Sequence, residues 1–458
     1  MVVSAFNDDS LGDLDAVGVA DAIRSGRISR AEAVEAAIAR TEKVNPELNG
    51  LAYEAFDRAR ARAATSSGGF FDGVPTFVKD NTDVFGMPTM HGTDAWAPRP
   101  ATADGIFTRA FLSTGLIPLG KTRMPEFGFS ASAEHPRHGP VRNPWDTYRT
   151  PGASSSGASV FVASGAVPIA HANDGGGSIR IPASCTGLVG LKPSRGRLPL
   201  ERQMQLMPIR LGVNGVLTRT VRDTAAFYRE MERTCRNPKL PAIGDVTGPG
   251  NARLRVAVFT RSVLRDCAPE VRDLTLKTAA LLEELGHHVE VLDQPPVPKS
   301  FQDDFVAYWG LLAFATATAD HRERLDNLTL GLDRHAVRNM HRMPLAMARL
   351  ATIGRAMNKL HQQYDVALMP TLAEEPPLIG HLDPTAGYEQ IMDRLAGWVA
   401  FTPLQNVTGD PAISLPLADS AAGLPVGMMI SAPAGREAML LELGYELEEA
   451  RPFKRLPA

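Results

Sequence analysis

Apolar and charged positions alternate at helical spacing near the start of the chain and later give way to short apolar runs. Over residues 14–62 the apolar positions recur every three to four residues, which predicts two or three amphipathic helices, with Asn45 and Pro46 as a break between them. The run GVPTFVKDNTDV, residues 73–84, is rich in strand-forming residues instead. We therefore predict a mostly apolar strand here, with Lys79 at or just beyond its end.

The later part of the chain shows a pattern that is typical of α/β proteins. RLRVAVFT, LTLKTAALLEELG and HHVEVLD predict a strand, a helix and a second strand, and the helix should stop at Gly286. Residues 300–362 are predicted to be mainly helical, and residues 364–371 (YDVALMPT) to form a buried strand that ends at a proline. AISLPLA and PVGMMIS predict two closing strands. Strands and helices in this order favour an α/β layered fold.

Composition narrows the range of partners and compartments. The chain has 458 residues, 44% hydrophobic and 22% charged, which is typical of compact globular proteins. With a net charge of −3 and no dense Lys/Arg cluster, nucleic acid is not an expected partner. The start of the chain has no basic segment followed by an apolar one, and no window approaches 18 uninterrupted apolar residues. We therefore expect neither an export signal nor a membrane span.

The three cysteines indicate a reducing compartment. Cys185, Cys235 and Cys267 are an odd number and have no CxxC spacing, which argues against both a disulfide framework and a zinc site. These thiols suit a reducing environment. We therefore predict a cytoplasmic location.

Candidate chemistry is concentrated in residues 150–200, which are rich in Gly, Ser and Ala and nearly free of charge. Ser178 follows three consecutive glycines, which allow backbone conformations closed to other residues and let N–H groups converge on one point. Convergent donors beside a serine hydroxyl are the parts of an oxyanion hole and a nucleophile. A packed glycine-rich turn remains an alternative. A phosphate cradle is a weaker one, because neither GxxxxGK nor GxGxxG is present.

A serine nucleophile needs a base to accept its proton. The serines at 154–156 could relay that proton to Lys79, because burial at the end of an apolar strand would lower the pKa of Lys79 and leave a neutral amine. Each feature also has a structural interpretation. The serines could cap a helix or a turn, and Lys79 could pair with Asp80 or Asp83.

Two other hydrolytic mechanisms have less support in the sequence. There is no GxSxG element, and His171 lies in the apolar run VPIAHAND, where a hydrogen-bonded core histidine is the expected role. Neither HExxH nor another paired spacing of His and Asp ligands occurs, so no metal is expected.

The combination of TPGASSSGAS, NDGGGSIRIPA and GLKPSRGR resembles the amidase signature family. GVPTFVKDN, KTRMPEFGFS, RNPWD, VLTRTVRD and NVTGDPAISLP extend the resemblance over nearly the whole chain. The resemblance implies an α/β amidase signature fold, in which a mixed central β-sheet is covered by helices on both faces in a single large domain spanning 1–458. It places a helical lead-in at about 12–65, a signature core at about 70–225 and a helical insertion at about 300–362.

Carried over motif by motif, the resemblance gives each candidate residue a role. Ser178 is the expected nucleophile, Ser154 the bridging serine preceded by a cis peptide bond, and Lys79 the base of a Ser-cisSer-Lys triad. The oxyanion hole is predicted at Gly175, Gly176 and Gly177. Ser155, Asp174 and Arg180 are predicted to support the site. The implied reaction is hydrolysis of an amide-like C–N bond through an acyl-enzyme, with no metal or organic cofactor.

The signature departs from the usual pattern in places. Ala153 and Ser156 stand where glycine is common, and Gly175 stands where threonine or isoleucine is common. The variant SIRIPASCTGLVGLKPSRGR resembles the branch that contains cyclic-oligoamide (nylon-type) hydrolases and urethane-cleaving amidases. The expected partner is therefore a small-molecule amide, anilide or carbamate substrate.

Specificity and assembly are less constrained by the sequence. The segment 198–215 follows the signature core, and Met204, Leu206 and Met207 are predicted to line an apolar substrate pocket, with ordinary core packing as the alternative. A homodimer is compatible with the sequence. Two further roles remain open: the amidase subunit of a tRNA-dependent amidotransferase, and a catalytically silent binding protein with the same fold.

Overall fold

A computed structural model describes residues 1–263, 265–316 and 321–458 of the chain. Its helices are α1 (Ala16–Arg24), α2 (Arg30–Leu48), α3 (Phe56–Ala63), α4 (Ile106–Ser113), α5 (Ser156–Ala163), α6 (Arg180–Thr186), α7 (Arg202–Gln205), α8 (Val221–Cys235), α9 (Pro269–Glu284), α10 (Phe301–Thr316), α11 (Asn327–Asn339), α12 (Met343–Gln363), α13 (Tyr388–Trp398), α14 (Pro403–Thr408) and α15 (Glu437–Ala450). Its strands are β1 (Leu51–Glu54), β2 (Pro75–Lys79), β3 (Ile117–Thr122), β4 (Glu134–His135), β5 (Gly139–Pro140), β6 (Ile169–Asp174), β7 (Val189–Lys192), β8 (Val213–Thr218), β9 (Arg255–Phe259), β10 (His288–Leu292), β11 (Val366–Pro370), β12 (Ala412–Asp419) and β13 (Pro425–Ser431).

The centre of the fold is an eight-stranded sheet in the order β10-β9-β11-β13-β12-β7-β8-β6. The β10, β9 and β11 strands pair in parallel, and every following pair is antiparallel, so the sheet is mixed as expected. Seven successive residues of β12 are buried. Because neighbouring side chains of a strand point to opposite faces, helices must cover both faces of the sheet. The α/β prediction is confirmed.

A small sheet of order β1-β3-β2 carries Lys79 and lies beside β6, the edge strand of the large sheet. Hydrogen bonds that involve side chains join the sheets. Thr76 Oγ1 donates to the carbonyl oxygen of Ile169 at 2.9 Å, and the Lys79 N–H donates to His171 Nδ1 at 3.2 Å. His171 is fully buried, and burial lowers its pKa to about 3. Its prediction as a core histidine is confirmed, and its ring fixes the end of β2.

Several predicted elements are confirmed. The strand, helix, strand unit appears as β9, α9 and β10, and α9 ends at Glu284, just before Gly286. The strand predicted at 364–371 is β11, and the two closing strands are β12 and β13, which pair antiparallel. The 300–362 region is helical in α10, α11 and α12, although residues 317–320 of it lie outside the described residues.

The predicted helix break at Asn45 and Pro46 is wrong. The α2 helix continues through Pro46 and ends at Leu48, where Asn49 takes a left-handed conformation with φ 52°. Proline has no N–H, so the carbonyl of Glu42 loses its helical hydrogen bond. Glu42 and Pro46 are both exposed, and water can solvate this carbonyl instead. The lead-in also contains a strand, β1, that the helical pattern did not predict.

The helical region that follows β10 packs on neighbouring helices, since α10 contacts α11 and α12, which in turn contact α13 and α14. In α10, Phe301, Phe305 and Trp309 are four residues apart and therefore share one face of the helix. Phe305 and Trp309 stack with ring centroids 5.5 Å apart. Among the helices of the described residues, none combines the length and the apolar character that crossing a membrane requires.

Candidate active site

Lys79, the last residue of β2, points its amine at a group of oxygen atoms. Its side chain is fully buried, and Nζ lies 2.6 Å from Ser154 Oγ and 3.1 Å from Ser155 Oγ. A third short contact joins Nζ to Asn173 Oδ1. Burial lowers the pKa of Lys79 well below its usual value, and the negative charge of Asp174 opposes this shift only in part. The predicted base is therefore placed where a neutral amine is favoured.

The predicted alternative, an ion pair between Lys79 and the neighbouring carboxylates, is absent among the described residues. Asp80 instead lies 3.7 Å from the ammonium of Lys121 and accepts hydrogen bonds from the N–H groups of Met90 and Gly92. Asp83 forms no ion pair within the described ranges. The Lys79 amine therefore faces hydroxyl and amide oxygens, with no carboxylate among its hydrogen-bond partners.

Ser154 and Ser178, 24 residues apart in the chain, meet beside this amine. The Ser154 N–H donates to Ser178 Oγ at 3.2 Å, and both side chains are almost completely buried. The two hydroxyl groups do not hydrogen bond to each other in this structure. Catalytic hydrogen bonds are often incomplete before substrate binds. The structure thus brings all three predicted triad residues together.

The predicted cis peptide bond before Ser154 is wrong, because the described residues contain no cis peptide bond. The chain turns here through two consecutive residues in the left-handed region, Gly152 at φ 84° and Ala153 at φ 48°. This turn already directs the Ser154 N–H at Ser178. Ala153 is one of the residues that departs from the usual glycine, and it takes a conformation that an alanine adopts only with some strain.

The glycine run forms a tight loop between β6 and α6. Gly177 has φ 132°, and a Cβ atom built there would lie 2.3 Å from Thr402 Oγ1, which itself donates to the Gly176 carbonyl at 2.7 Å. The Gly177 N–H donates to Asp174 Oδ1 at 2.8 Å and is therefore already engaged. Within the described residues, the N–H groups of Gly175, Gly176 and Ser178 donate to no protein atom. Within the described part of this loop, these three N–H groups remain available to an oxyanion.

A buried ion pair holds this loop in place. Arg180 Nε and Nη2 lie 2.9 and 3.0 Å from the two carboxylate oxygens of Asp174, and both side chains are fully buried. Burial alone would raise the pKa of Asp174, but Arg180 lowers this pKa to about 2. Arg180 also donates to Gln405 Oε1 and Asn406 Oδ1. The supporting residues therefore tie the loop to α14, and Asp174 is an ionised carboxylate.

A cleft lined mainly by apolar side chains opens beside Ser178. Its walls come from α10 and α13, together with the segment 128–131. Trp309 packs over the glycine loop, where a Cβ atom on Gly175 would lie 3.3 Å from the indole, and it meets Phe129 edge to face at 5.7 Å. The cleft is lined by Gly128, Phe129, Ser130, Ala131, Ala153, Gly176, Ser178, Ile181, Phe301, Gln302, Phe305, Val306, Trp309, Met392, Leu395, Ala396, Val399 and Pro403.

The structure does not place the predicted pocket residues Met204, Leu206 and Met207 along this cleft. Met204 and Leu206 are 36% and 84% exposed, and Met207 packs partly buried against the core. Their segment is anchored elsewhere, because the hydroxyl of Tyr308 both accepts from the Ile209 N–H and donates to the Ile209 carbonyl at 2.8 Å. The sequence signal that could have identified the aromatic wall of the cleft is the four-residue spacing of Phe301, Phe305 and Trp309 in FQDDFVAYWG.

One group of side chains has the composition of a metal site but not the required chemistry. Ligand atoms of Asp94, His135 and His138 lie within 4.8 Å of one another. However, His135 Nδ1 accepts from the N–H groups of Arg137 and His138, both at 3.1 Å, so a neutral His135 carries its proton on Nε2, the nitrogen that faces Asp94. Arg137 occupies both oxygens of Asp94. This group is therefore a hydrogen-bonded turn.

Comparison with known proteins identifies the class to which this fold and this site belong. A family model described as Amidase matches residues 32–441, and the chain belongs to this family. It is accordingly an amidase-signature enzyme, a hydrolase that acts on amide C–N bonds other than peptide bonds. The α/β fold with a large mixed sheet matches solved structures of this class.

Individual relatives narrow the comparison. The chain is 66% identical to the amidase named AmiC of Mycobacterium leprae, over 99% of this chain and 98% of that protein. It is 33% identical to the 6-aminohexanoate-cyclic-dimer hydrolase of Pseudomonas sp. strain NK87, over 96% and 95% of the two chains. The structure of a bacterial aryl acylamidase superimposes with a TM-score of 0.86 at 28% identity and covers 96% of each chain.

We expect Gly177→Ala to lower kcat/KM at least about a hundredfold, comparable to the loss of one oxyanion donor. The added Cβ would collide with Thr402 Oγ1 and would have to tolerate a positive φ, so the loop must move. Kinetics on a chromogenic anilide, with thermal unfolding measured in parallel, test this expectation. The matched control is Gly354→Ala in α12, where a Cβ meets no atom within 4 Å. An unchanged kcat/KM in Gly177→Ala would contradict the tight-loop geometry.

Proposed function

We propose that this amidase cleaves its substrate through an acyl-enzyme on Ser178, with Ser154 as the proton relay and neutral Lys79 as the base. A single arrangement carries the proposal: Lys79 Nζ lies 2.6 Å from Ser154 Oγ, the backbone N–H of Ser154 donates to Ser178 Oγ at 3.2 Å, and Ser178 lines an apolar cleft. Among the described residues, no carboxylate accepts a hydrogen bond from the amine, so the amine can take up a proton during the reaction.

The first chemical step moves two protons in one direction. Ser178 gives its hydroxyl proton to Ser154 Oγ while Ser154 gives its own proton to Lys79 Nζ, and Ser178 Oγ forms a bond to the substrate carbonyl carbon. The π-electron pair of the carbonyl group passes to its oxygen. Lys79 is then an ammonium, and the oxygen of the tetrahedral intermediate carries the negative charge.

The N–H groups left free by the loop are placed to bind that charge. We assign the oxyanion hole to the amides of Gly175, Gly176 and Ser178 and exclude Gly177, whose N–H is held by Asp174. This assignment differs from the sequence-based one by replacing Gly177 with the nucleophile's own amide. Donors that the ion pair of Asp174 and Arg180 holds in place need little reorganisation as the charge develops, which is the main advantage of such a site.

The second half of the reaction uses the same atoms in reverse. When the tetrahedral intermediate collapses, the C–N bond breaks, and the leaving nitrogen receives a proton from Ser154, which is reprotonated by the Lys79 ammonium. Water then attacks the acyl-enzyme, with its proton passing through Ser154 to Lys79, and this proton returns through Ser154 to Ser178 Oγ when the bond between Oγ and the acyl carbon breaks. None of these steps calls for a metal or an organic cofactor.

The cleft favours a lipophilic substrate. Its walls present Phe129, Phe305, Trp309 and aliphatic side chains, and the few polar groups among them include Ser178 itself. We therefore propose that the substrate is an anilide, an aryl carbamate or a lipophilic secondary amide. The names of the two more distant relatives, a cyclic-dimer hydrolase and an aryl acylamidase, support this choice. A cytoplasmic location and a homodimer remain predictions from the sequence.

Lys79→Met should remove the low-pH limb from the pH profile of kcat/KM and lower its plateau by several orders of magnitude. The neutral amine is the active form, so activity should rise as pH passes upward through the pKa of Lys79, which burial holds well below 10.5. A profile of kcat/KM against pH on an anilide, with circular dichroism at each pH, measures this limb.

Lys192 supplies the control for this experiment, because it is a second fully buried lysine, and burial lowers its pKa to about 7. Its Nζ donates to the Pro193 carbonyl and to no triad residue in the described chain. Lys192→Met should therefore keep a low-pH limb at the wild-type position. If Lys192→Met removes the limb and Lys79→Met retains it, the assignment of the base is wrong.

Trp309→Ala should raise KM for an aryl anilide about tenfold, since one aromatic contact contributes about 0.5–1.5 kcal/mol beyond its buried area. A small aliphatic amide, which reaches less of the cleft wall, should lose less affinity. Phe314, on the same helix, is 45% exposed and supplies the control. Phe314→Ala should leave the KM values for both the aryl anilide and the aliphatic amide unchanged. Equal losses for the aryl and aliphatic substrates would argue against an aromatic binding wall.

A further inference from the structure

The three oxygen atoms around Lys79 Nζ differ in whether they can donate a hydrogen bond. Asn173 Oδ1 is a carbonyl oxygen and can only accept. Ser155 Oγ directs its hydrogen at the Asn173 carbonyl, 3.3 Å away, and also accepts from the Asn173 N–H at 3.4 Å. Ser154 Oγ, 2.6 Å from Nζ, is therefore the one partner whose hydrogen is available to the amine among the described residues.

This difference decides where the lone pair of the neutral amine points. An ammonium group has three N–H donors, and all three oxygens can accept one. A neutral amine has two N–H donors and one lone pair. If the lone pair faced Asn173 or Ser155, two acceptors would oppose each other and a buried hydrogen bond would be lost, which costs about 1–3 kcal/mol. The arrangement that satisfies every group places the lone pair toward Ser154.

We propose that Asn173, together with Ser155, is a positioning residue that directs the lone pair of neutral Lys79 at the hydroxyl of Ser154. The proposal rests on the proposed function, in which Lys79 accepts the proton of Ser154. Asn173 forms no new bond in the proposed reaction and acts through its contact with Lys79 Nζ. It lies next to the last residue of β6, and pairing with Asn214 of β8 fixes its backbone.

The ionisable groups around Lys79 are either uncharged or already ion-paired. The lone pair of its amine is therefore positioned by neutral side chains. On β6, His171 is uncharged near neutral pH because burial lowers its pKa to about 3, and Asp174 is ion-paired with Arg180. On β3, Lys121 is paired with Asp80. The start of α5 presents only serine hydroxyls. Changing the charge at position 173 should therefore act directly on the Lys79 amine.

Asn173→Asp and Asn173→Ala separate positioning from simple packing. In Asn173→Asp the acceptor and the shape are kept while a negative charge is added, so the low-pH limb of kcat/KM should move upward by about one to three pH units, as an opposite charge at this distance produces. Its plateau at high pH should stay within about threefold of wild type. In Asn173→Ala the acceptor is lost, so kcat should fall at least tenfold with KM nearly unchanged.

The measurement is the pH dependence of kcat and kcat/KM on one chromogenic anilide, with thermal unfolding of each variant. Ser155→Ala should lower kcat, as Asn173→Ala does. A purely structural role predicts instead that Asn173→Asp loses plateau activity as severely as Asn173→Ala and leaves the limb in place, and this result would overturn the proposal. Because Asn173→Asp is isosteric, it keeps the test valid if Asn173→Ala fails to fold.

The outcomes also separate this inference from the proposed function. If Lys79→Met retains the low-pH limb, Lys79 is not the base and the proposed function itself fails. If Lys79→Met removes the limb but Asn173→Asp does not shift it, the base is correct and only the positioning role of Asn173 is rejected.

Discussion

The site depends on a buried lysine that has no carboxylate of its own. Removing an ammonium ion from water costs several kcal/mol, and an adjacent anion is the usual compensation. Here Asp174, the carboxylate whose charge acts on Lys79, already accepts two hydrogen bonds from Arg180 in a fully buried pair. Burial therefore favours the neutral form of the Lys79 amine, which supports the proposed role of Lys79 as the base.

The remainder of the fold serves to hold these groups at fixed distances. Lys79 comes from the small sheet, Asp174 and Asn173 from the edge strand of the large sheet, and Arg180 from the helix that follows the glycine loop. Because they come from separate elements, none can shift without disturbing the hydrogen bonds of another. The same ion pair that removes Asp174 from Lys79 also engages the Gly177 N–H and leaves the neighbouring amides open. One interaction thus acts on both the proposed base and the proposed oxyanion donors.

The parts of the site that sequence could predict are those whose chemistry lies within short motifs. Lys79 at a strand end and the serines around the glycine run could be recognised, because strand patterning and glycine content are local properties. The substrate wall could not, since Phe305 and Trp309 lie more than 120 residues from Ser178 in the chain and reach it only through packing. Sequence proximity instead suggested Met204 and Leu206, which the structure leaves at the surface.

The local conformation of the backbone was the second feature that the sequence could not predict. Whether Ala153 uses a cis peptide bond or a left-handed turn depends on contacts with the segment that carries Ala131, whose carbonyl accepts from the Ala153 N–H. Such a contact joins residues far apart in the chain and leaves no local pattern. Likewise, Pro46 reads as a helix break, but its position in an exposed last turn lets the helix continue to Leu48.

The most direct test of the account is intact-mass analysis after reaction with a serine-directed fluorophosphonate, followed by peptide mapping. A single adduct on Ser178, formed much more slowly in Lys79→Met, is the predicted result, because the probe reports both the nucleophile and its activation by the base. An adduct on a different residue, or continued hydrolysis by folded Ser178→Ala, would contradict the assignment of Ser178 as the nucleophile.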